Sequence, residues 1–217
     1  MRDKAGILIC FTGIDGSGKS TFIEYTYEWL KRNTERNITL CEGTKPSLFN
    51  RQLKINDIGI NRDVIDTYEP EIVALSHAAD LLNNLDKTII PAMNKGDIVL
   101  THRYDICSIA YSQAIGCTNN VIKKILSLCP EPDILFYLDI NPEVAVNRIK
   151  NRSILTGEEI KRKESIEILS LARKYYVEAV RSSQRKIYFL NAEKDMNVTE
   201  NSIRVALEEY FDTQTSG

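Results

Sequence analysis

A run of eight residues near the amino end carries the clearest chemistry in this chain. Residues 13–20 read Gly-Ile-Asp-Gly-Ser-Gly-Lys-Ser and fit the pattern G-x-x-x-x-G-K-S/T at every fixed position. In this pattern the glycines let backbone N–H groups converge on phosphate oxygens, the lysine adds positive charge, and the final hydroxyl can hold Mg²⁺. We therefore predict that a nucleoside triphosphate and Mg²⁺ bind at Gly13, Ile14, Asp15, Gly16, Ser17, Gly18, Lys19, Ser20 and Thr21.

The elements that must hold this loop alternate along the chain. The apolar run Ile7–Thr12 directly precedes the loop and is typical of a strand buried on both faces. A helical pattern begins at Lys19, and further strand-like runs alternate with helical segments after it. This alternation predicts an α/β fold, a five-stranded and mostly parallel sheet with helices on both faces. The strands are expected at Ile7–Thr12, Ile38–Cys41, Asp97–Thr101, Asp133–Asp139 and Lys186–Leu190.

Local signals mark several helix ends. The segment Glu69–Lys95 is long and amphipathic, and Gly96 stands where such a helix would stop. Asn141 is suited to cap a helix whose first position is Pro142. The polar tail, residues 212–217, is expected to fray.

Nothing in the composition divides the chain, so we predict one domain over residues 1–217. The polar stretch Lys150–Glu164 contains Arg152, Lys161, Arg162 and Lys163. Such a run is typical of a solvated loop, and it also fits a short, mobile basic lid over bound phosphates. We take residues 150–164 as the candidate lid.

Charge and cysteine content limit the partners and the compartment. The chain has 28 Lys and Arg against 30 Asp and Glu, a formal net charge of −2, which argues against binding to nucleic acid. Its five cysteines form no C-x-x-C pair, which favours reduced thiols in a cytoplasmic protein. No apolar run approaches the roughly 18 residues that would span a membrane.

A triphosphate loop alone leaves the activity open. Asn94–Asp97 matches the guanine-reading pattern N-K-x-D of GTPases, but it covers the end of a predicted helix and the start of a strand, where a guanine reader would not lie. No D-x-x-G follows the loop, so the switch element of a GTPase is missing too.

Blocks of sequence spread over about Ile7 to Phe211 point to a family. Phe11–Thr21 forms the phosphate loop with an internal Asp, and His77–Asp80, Gly96–Tyr104 and Pro132–Arg148 follow it in order. Together they resemble the thymidylate kinases and, more broadly, nucleoside and nucleoside-monophosphate kinases. The resemblance implies a P-loop NTPase fold, ATP as the bound triphosphate, ATP-dependent phosphoryl transfer to a small-molecule acceptor, and a homodimer formed through helices that flank the third strand.

The resemblance also implies roles for single residues. Asp15 would face the acceptor, and Arg103 would hold the phosphate at the transfer point, where its planar guanidinium suits phosphoryl oxygens. Arg148 and Arg152 would lie at the lid and neutralise the charge that develops during transfer. The expected catalytic residues are therefore Asp15, Lys19, Arg103, Arg148 and Arg152.

The acidic residue that follows the second strand is implied to serve the metal. Glu42 matches it and would hold Mg²⁺ together with Ser20, with Asp139 and water in support, or would act as a base. The arginine that flanks this position in the family is missing, and Lys45 is a candidate replacement.

Several positions depart from the family pattern, and they cluster on the acceptor side. The Asp that precedes Arg103 in the family is His102 here, and a neutral imidazole is a poor ligand for Mg²⁺. The base-stacking Phe and the base-reading Arg become His77 and Leu81, and the Gln beside Tyr111 becomes Ser112. The residues expected to bind the acceptor are Glu42, Lys45, His77, Leu81, His102, Arg103 and Tyr111.

Three hypotheses follow for the activity. The first is transfer of the γ-phosphoryl group of ATP to a nucleoside monophosphate that resembles dTMP. The second is a kinase of the same fold retargeted to a modified nucleoside or a non-nucleotide metabolite. The third is a non-catalytic nucleotide-binding module, which the replacement at His102 brings into consideration.

Overall fold

Five parallel strands form the sheet that positions the phosphate loop. The computed structural model describes residues 6–45, 49, 53, 64–157 and 159–215. Within these ranges the sheet order is β2-β3-β1-β4-β5, and all strand pairings are parallel. The predicted α/β fold is confirmed, and the predicted strands are correct to within one residue at each end. The strands are β1 (Ile7–Thr12), β2 (Ile38–Glu42), β3 (Ile98–His102), β4 (Ile134–Asp139) and β5 (Ile187–Asn191).

Burial follows the position of each strand in the sheet. Every residue of β1 is buried, as are those of β4 up to Leu138, whereas the edge strands β2 and β5 are partly exposed. Phe11 of β1 stacks on Phe136, its register partner on β4, with ring centroids 4.8 Å apart. The continuous apolar runs of the sequence therefore belong to strands covered on both faces.

Helices connect the strands and pack around the sheet. A short 3₁₀ turn, Arg162–Glu164, comes between the helices α7 and α8. The described helices are α1 (Lys19–Asn33), α2 (Val64–Thr67), α3 (Pro70–Asn84), α4 (Ile90–Asn94), α5 (Asp105–Ala114), α6 (Val121–Leu126), α7 (Pro142–Thr156), α8 (Ile166–Ser182) and α9 (Met196–Thr215).

The long helix predicted over residues 69–95 is confirmed with one interruption. A π-helical turn, Leu85–Ile89, joins α3 to α4. Pro91 lacks an N–H, and its ring would clash with the carbonyl of Lys87 in a regular α-helix, so the wider turn accommodates it. Gly96 ends the segment with φ 83°, as its position predicts.

The amino end of α7 and the carboxyl end of α9 test two local predictions. The Asn141 side chain accepts a hydrogen bond of 2.8 Å from the Glu143 N–H, which confirms the predicted cap. The tail predicted to fray, residues 212–217, is helical as far as Thr215, where α9 ends. Phe211, at the start of this last turn, packs on Trp29 with ring centroids 6.3 Å apart and holds the helix to the body of the protein. Residues 216 and 217 lie outside the described part.

The candidate lid begins inside a helix. Residues 150–156 belong to α7, which ends at Gly157 with φ 72°, and the 3₁₀ turn forms the far end of the lid. Residue 158 is not among the described residues. Within the described ranges, no helix combines the length and the apolar character that a membrane span requires.

Candidate active site

The phosphate loop connects the carboxyl end of β1 to the amino end of α1. Its three glycines take positive φ angles, 145° at Gly13, 84° at Gly16 and 90° at Gly18. A Cβ atom at Gly16 would lie 2.6 Å from the carbonyl oxygen of Ala145 on α7, so a side chain is excluded there. The spacing of glycines in the sequence thus reflects backbone conformations and a close approach that other residues do not permit.

Lys19 lies against the loop that it follows. Its Nζ donates hydrogen bonds to the carbonyl oxygens of Gly13 (3.0 Å) and Ile14 (2.8 Å), and the side chain is buried. Burial lowers the pKa of Lys19 to about 8. The carboxylate of Asp15, whose Oδ1 lies 3.6 Å from Nζ, partly opposes this decrease. The ammonium is therefore held at the place where a phosphate chain would meet the loop.

Asp15 and Arg103 form the central ion pair of the site. Nη2 of Arg103 lies 2.6 Å from Oδ1 of Asp15, and Nε lies 3.1 Å from Oε1 of Glu42. Burial disfavours the ionised form of Asp15, but Arg103, Lys163 and Lys19 outweigh it and hold the pKa of Asp15 well below its usual range. This carboxylate is thus charged although it is almost fully buried.

Strand register explains why these distant residues meet. Asp15 follows β1 and Arg103 follows β3, and the two strands are neighbours whose last paired residues are Phe11 and His102. Arg103 has φ 57°, the only positive φ outside glycine among the described residues. Such a conformation is strained for a residue with a side chain, and strain of this kind is common at functional sites.

Tyr111 of α5 binds the phosphate loop through its hydroxyl. Its hydroxyl accepts a hydrogen bond of 2.8 Å from the backbone N–H of Asp15, and burial raises the pKa of this hydroxyl well above its usual value. The ring also meets Tyr176 of α8 edge-on at 6.2 Å. Tyr111 therefore fixes the position of Asp15 as well as lining the adjoining cavity.

A cavity of about 230 Å³ opens beside the Asp15–Arg103 pair. Its walls combine charged and apolar side chains, so an anionic group with an apolar neighbour would fit it. Four of the residues expected to bind the acceptor, Glu42, His77, Arg103 and Tyr111, line this cavity. The remaining lining residues are Thr44, Val64, Ile65, Val73, Cys107, Ser108, Ile115, Lys161 and Lys163.

The other three residues expected to bind the acceptor lie elsewhere. Leu81 is fully buried and outside the cavity lining, where it packs beside Gly43 in the turn after β2, so the expected acceptor contact is corrected to a packing role. Lys45 and His102 line a neighbouring recess of about 640 Å³ together with Ser20 and Glu42.

His102 is a neutral group in this recess. Burial lowers the pKa of its imidazole to about 4, although the carboxylate of Glu42 raises it. Its buried Nδ1 has no hydrogen-bond partner among the described residues. An uncharged nitrogen does not suit Mg²⁺, whereas the hydroxyl of Ser20 and the carboxylate of Glu42 are oxygen donors of the kind it binds. Ser20 and Glu42 therefore fit Mg²⁺ by the chemistry of their oxygen donors, and they are the residues of this recess that would hold it.

Asp139, expected to support the metal, is already engaged. Both of its oxygens accept hydrogen bonds of 2.8 Å from the guanidinium of Arg173, and this interaction lowers the pKa of the carboxyl. The carboxylate thus joins the end of β4 to α8. In this arrangement Asp139 forms a structural ion pair with Arg173.

Arg148 and Arg152, expected to act on the phosphates, each bind another part of the protein. Nη2 of Arg148 donates to the carbonyl of Ala192 at 2.8 Å, and Nη2 of Arg152 donates to Glu164 at 2.9 Å. Lys163 is a lid cation that does reach the loop, and its Nζ lies 3.4 Å from Oδ2 of Asp15. The sequence marked Lys163 only as part of a basic run, because side-chain directions in an irregular segment have no periodic signal.

Comparison with known proteins agrees with this geometry. A family model described as thymidylate kinase matches residues 11–203. The probable thymidylate kinase of Pyrococcus horikoshii is 34% identical over 178 residues, 78% of this chain and 84% of that protein. The probable thymidylate kinase 1 of Saccharolobus solfataricus and the thymidylate kinase of aster yellows witches'-broom phytoplasma are each 31% identical, over 94% of this chain and 98% of each relative. The chain therefore belongs to the thymidylate kinase family.

Proposed function

We propose that this chain is an ATP-dependent kinase that transfers the γ-phosphoryl group of ATP to dTMP or a closely similar nucleoside monophosphate. The observation that carries the proposal is the ion pair between Asp15 and Arg103, which joins the phosphate loop to the wall of the acceptor cavity. Relatives that carry the name thymidylate kinase support dTMP as the acceptor.

The donor side of the site suits a triphosphate. Backbone N–H groups of the loop and the amino end of α1 favour anionic oxygens, and Lys19 adds a full positive charge. Magnesium, when bound through Ser20 and Glu42, would supply further positive charge beside the phosphate chain. These groups would hold the γ-phosphoryl group near Asp15.

The transfer step needs little covalent help from the protein. An oxygen of the acceptor phosphate attacks the γ-phosphorus while the bond to the bridging β–γ oxygen breaks, and ADP leaves with that electron pair. Arg103 would orient the acceptor phosphate with its planar fork of donors, and Asp15 would fix that fork. Rate enhancement would come from positioning and from neutralised charge.

The acceptor side favours a phosphorylated molecule over a free nucleoside. Among the described residues, three cations, Arg103, Lys161 and Lys163, line the cavity with one carboxylate, Glu42. The family match gives no support to a retargeted kinase or to a non-catalytic module. His77 stands on the cavity wall where it can meet the base of the acceptor.

An ADP-release assay over a panel of acceptors tests the proposal. We expect ATP-dependent turnover with dTMP that exceeds turnover with thymidine, other nucleoside monophosphates and sugar phosphates. Lys19→Met should remove turnover, and Arg204→Gln, which alters an ion pair on α9 with Glu208, should keep it. ATP binding without turnover across the whole panel would refute the proposal, and so would a clear preference for GTP.

The proposal also covers the oligomeric state of the protein and its cellular compartment. We propose a homodimer, supported by the exposed apolar side chains Ile72 and Leu75 on α3, one of the helices around β3. All five cysteines are free thiols, which supports a reducing compartment such as the cytoplasm. Sedimentation equilibrium measures the assembly, and a monomer at micromolar concentration would contradict it.

A further inference from the structure

Three consecutive residues of the 3₁₀ turn Arg162–Glu164, called here the clasp turn, bind three separate parts of the site. Arg162 pairs with Asp66 of α2, Lys163 with Asp15 of the phosphate loop, and Glu164 with Arg152 of α7. Successive side chains of a 3₁₀ helix point about 120° apart, so one turn can reach three partners.

The partner of Arg162 belongs to the wall of the acceptor cavity. Asp66 lies in α2, and the two residues before it, Val64 and Ile65, line the cavity. An acceptor in the cavity would touch α2 next to the carboxylate that holds Arg162. The ion pair is partly exposed, with 57% of the Arg162 side chain and 33% of the Asp66 side chain accessible.

The partner of Lys163 belongs to the transfer point. Arg103 and Lys163 approach different oxygens of Asp15, at 2.6 Å and 3.4 Å. Lys163 also lines the acceptor cavity, so it contacts the phosphate loop on one side and faces the cavity on the other. A phosphoryl group passing between them would meet this charge.

Glu164 fixes the turn to the lid helix. Its carboxylate is nearly buried and accepts hydrogen bonds from Nη2 of Arg152 and from the backbone N–H of Lys161, each 2.9 Å long. The turn is therefore closed on itself and tied to α7. Lys163 is carried on a small, well-bonded unit and not on a loose loop.

We propose that the clasp turn couples the wall of the acceptor cavity to the phosphate loop. Lys163 is a catalytic residue at the transferring phosphoryl group. The Arg162–Asp66 pair is the positioning contact that links Lys163 to α2, which the bound acceptor touches. For its substrates this inference rests on the proposed function. Because coupling between two sites is reciprocal, the acceptor should strengthen the binding of the ATP side, and ATP the binding of the acceptor.

Calorimetry with dTMP, alone and with the non-hydrolysable analogue adenylyl imidodiphosphate, measures this coupling. We expect the analogue to raise dTMP affinity by about fivefold or more in the wild type. Arg162→Gln and Asp66→Asn should each reduce that factor about three- to fivefold, the size expected of a partly exposed ion pair. The double variant should be no worse than either single variant, because both remove the same contact.

Kinetics separate the catalytic residue from its positioning partner. Lys163→Met should lower kcat about a hundredfold, as the loss of one charge-stabilising donor does, and Lys163→Arg should recover part of it. Arg162→Gln should act mainly on KM for dTMP. Arg204→Gln, on α9, is the matched control for loss of an exposed arginine pair. Unchanged coupling in Arg162→Gln, additive effects in the double variant, or an unchanged kcat in Lys163→Met would each overturn the proposal.

Hydrogen exchange tests the clasp without any turnover. Asp66→Asn should speed amide exchange in residues 162–165, which are distant in sequence, and Arg162→Gln should speed it in residues 64–67. Equal exchange in variant and wild type would overturn the clasp even if the kinase activity is sound. If no acceptor supports ADP release, the proposed function fails while this measurement still decides the clasp.

Discussion

The ion pair between Arg103 and Asp15 can be tested by two replacements of Arg103. Arg103→Met keeps most of the length of the side chain and removes its charge. Arg103→Gly removes the side chain and also suits the observed φ of 57°. Both variants should lose turnover with dTMP, because the group that orients the acceptor phosphate is gone.

The structure sets the size of the stability effect in Arg103→Met. Removing one partner of a buried ion pair costs about 3–5 kcal/mol. The Arg103 side chain is 22% accessible, and Lys163 and Lys19 remain 3.4 Å and 3.6 Å from Asp15. We therefore expect a loss of unfolding free energy below that range, about 2–3 kcal/mol. For a chain of this length that lowers Tm by about 4–12 °C.

Comparison of the two variants isolates the backbone strain. A left-handed conformation costs a residue with a Cβ atom about 1–2 kcal/mol, and glycine avoids most of that cost. Arg103→Gly should therefore be about 1 kcal/mol more stable than Arg103→Met. Equal stability would show that the positive φ at Arg103 stores little strain.

Urea unfolding as a function of pH checks the electrostatic cause. The pKa of Asp15 lies well below its unfolded value of about 3.9, so its pairing contributes fully above that pH and is lost as the pH falls through the folded pKa. The difference between wild type and Arg103→Met should therefore shrink in acid. Full turnover in Arg103→Met, or unfolding free energies within about 0.5 kcal/mol at pH 7, would refute the reasoning.

Three other perturbations test the donor side. Gly16→Ala should lower the free energy of unfolding more than Gly157→Ala does. Both glycines have positive φ, but of these two positions only Gly16 would bring a Cβ to 2.6 Å from a carbonyl oxygen. Equal losses for the two variants in urea unfolding would contradict this close approach. The ratio kcat/KM for ATP should fall above about pH 8 as Lys19 loses its proton, and the Lys19→Arg variant should lack that fall. If wild type and Lys19→Arg have the same pH profile, Lys19 is not the group that causes the fall. His102→Asp should lower the Mg²⁺ concentration for half-maximal activity by adding a carboxylate beside Glu42, whereas the uncharged His102→Asn should not, and equal requirements would argue against a metal in this recess.

The strand, turn and helix around residues 13–20 were predictable because the signals for them are local in the sequence. Residues 13–20 determine their own backbone path, and the buried run before them identifies the strand. The contact between Asp15 and Arg103 could also be inferred from the sequence, although 88 positions separate the two residues. Both follow strands of a parallel sheet, and the carboxyl ends of such strands share one edge.

Positions along a helix were harder to assign to a cavity. His77 and Leu81 are four residues apart on α3 and share a face, which suggests a common role. Four residues also advance a helix by about 6 Å. His77 stands at the cavity, whereas Leu81 lies beyond it beneath Gly43, in the core. Periodicity gives the direction of a side chain, but the length of the cavity decides whether the next turn still reaches it.

The lid shows where sequence patterns stop being informative. The resemblance to the family implied that Arg148 and Arg152 lie at the lid and neutralise charge, but in the structure Arg148 donates to Ala192 and Arg152 to Glu164. Lys163 reaches the loop from a turn of three residues, too short for any periodic pattern. Its direction follows from the closure of that turn by Glu164, a contact between a carboxylate and an N–H three residues earlier. The position of Lys163 therefore depends on an acidic residue within a basic run. Glu164→Gln should weaken turnover in the ADP-release assay, although it removes a negative charge from the residue next to Lys163.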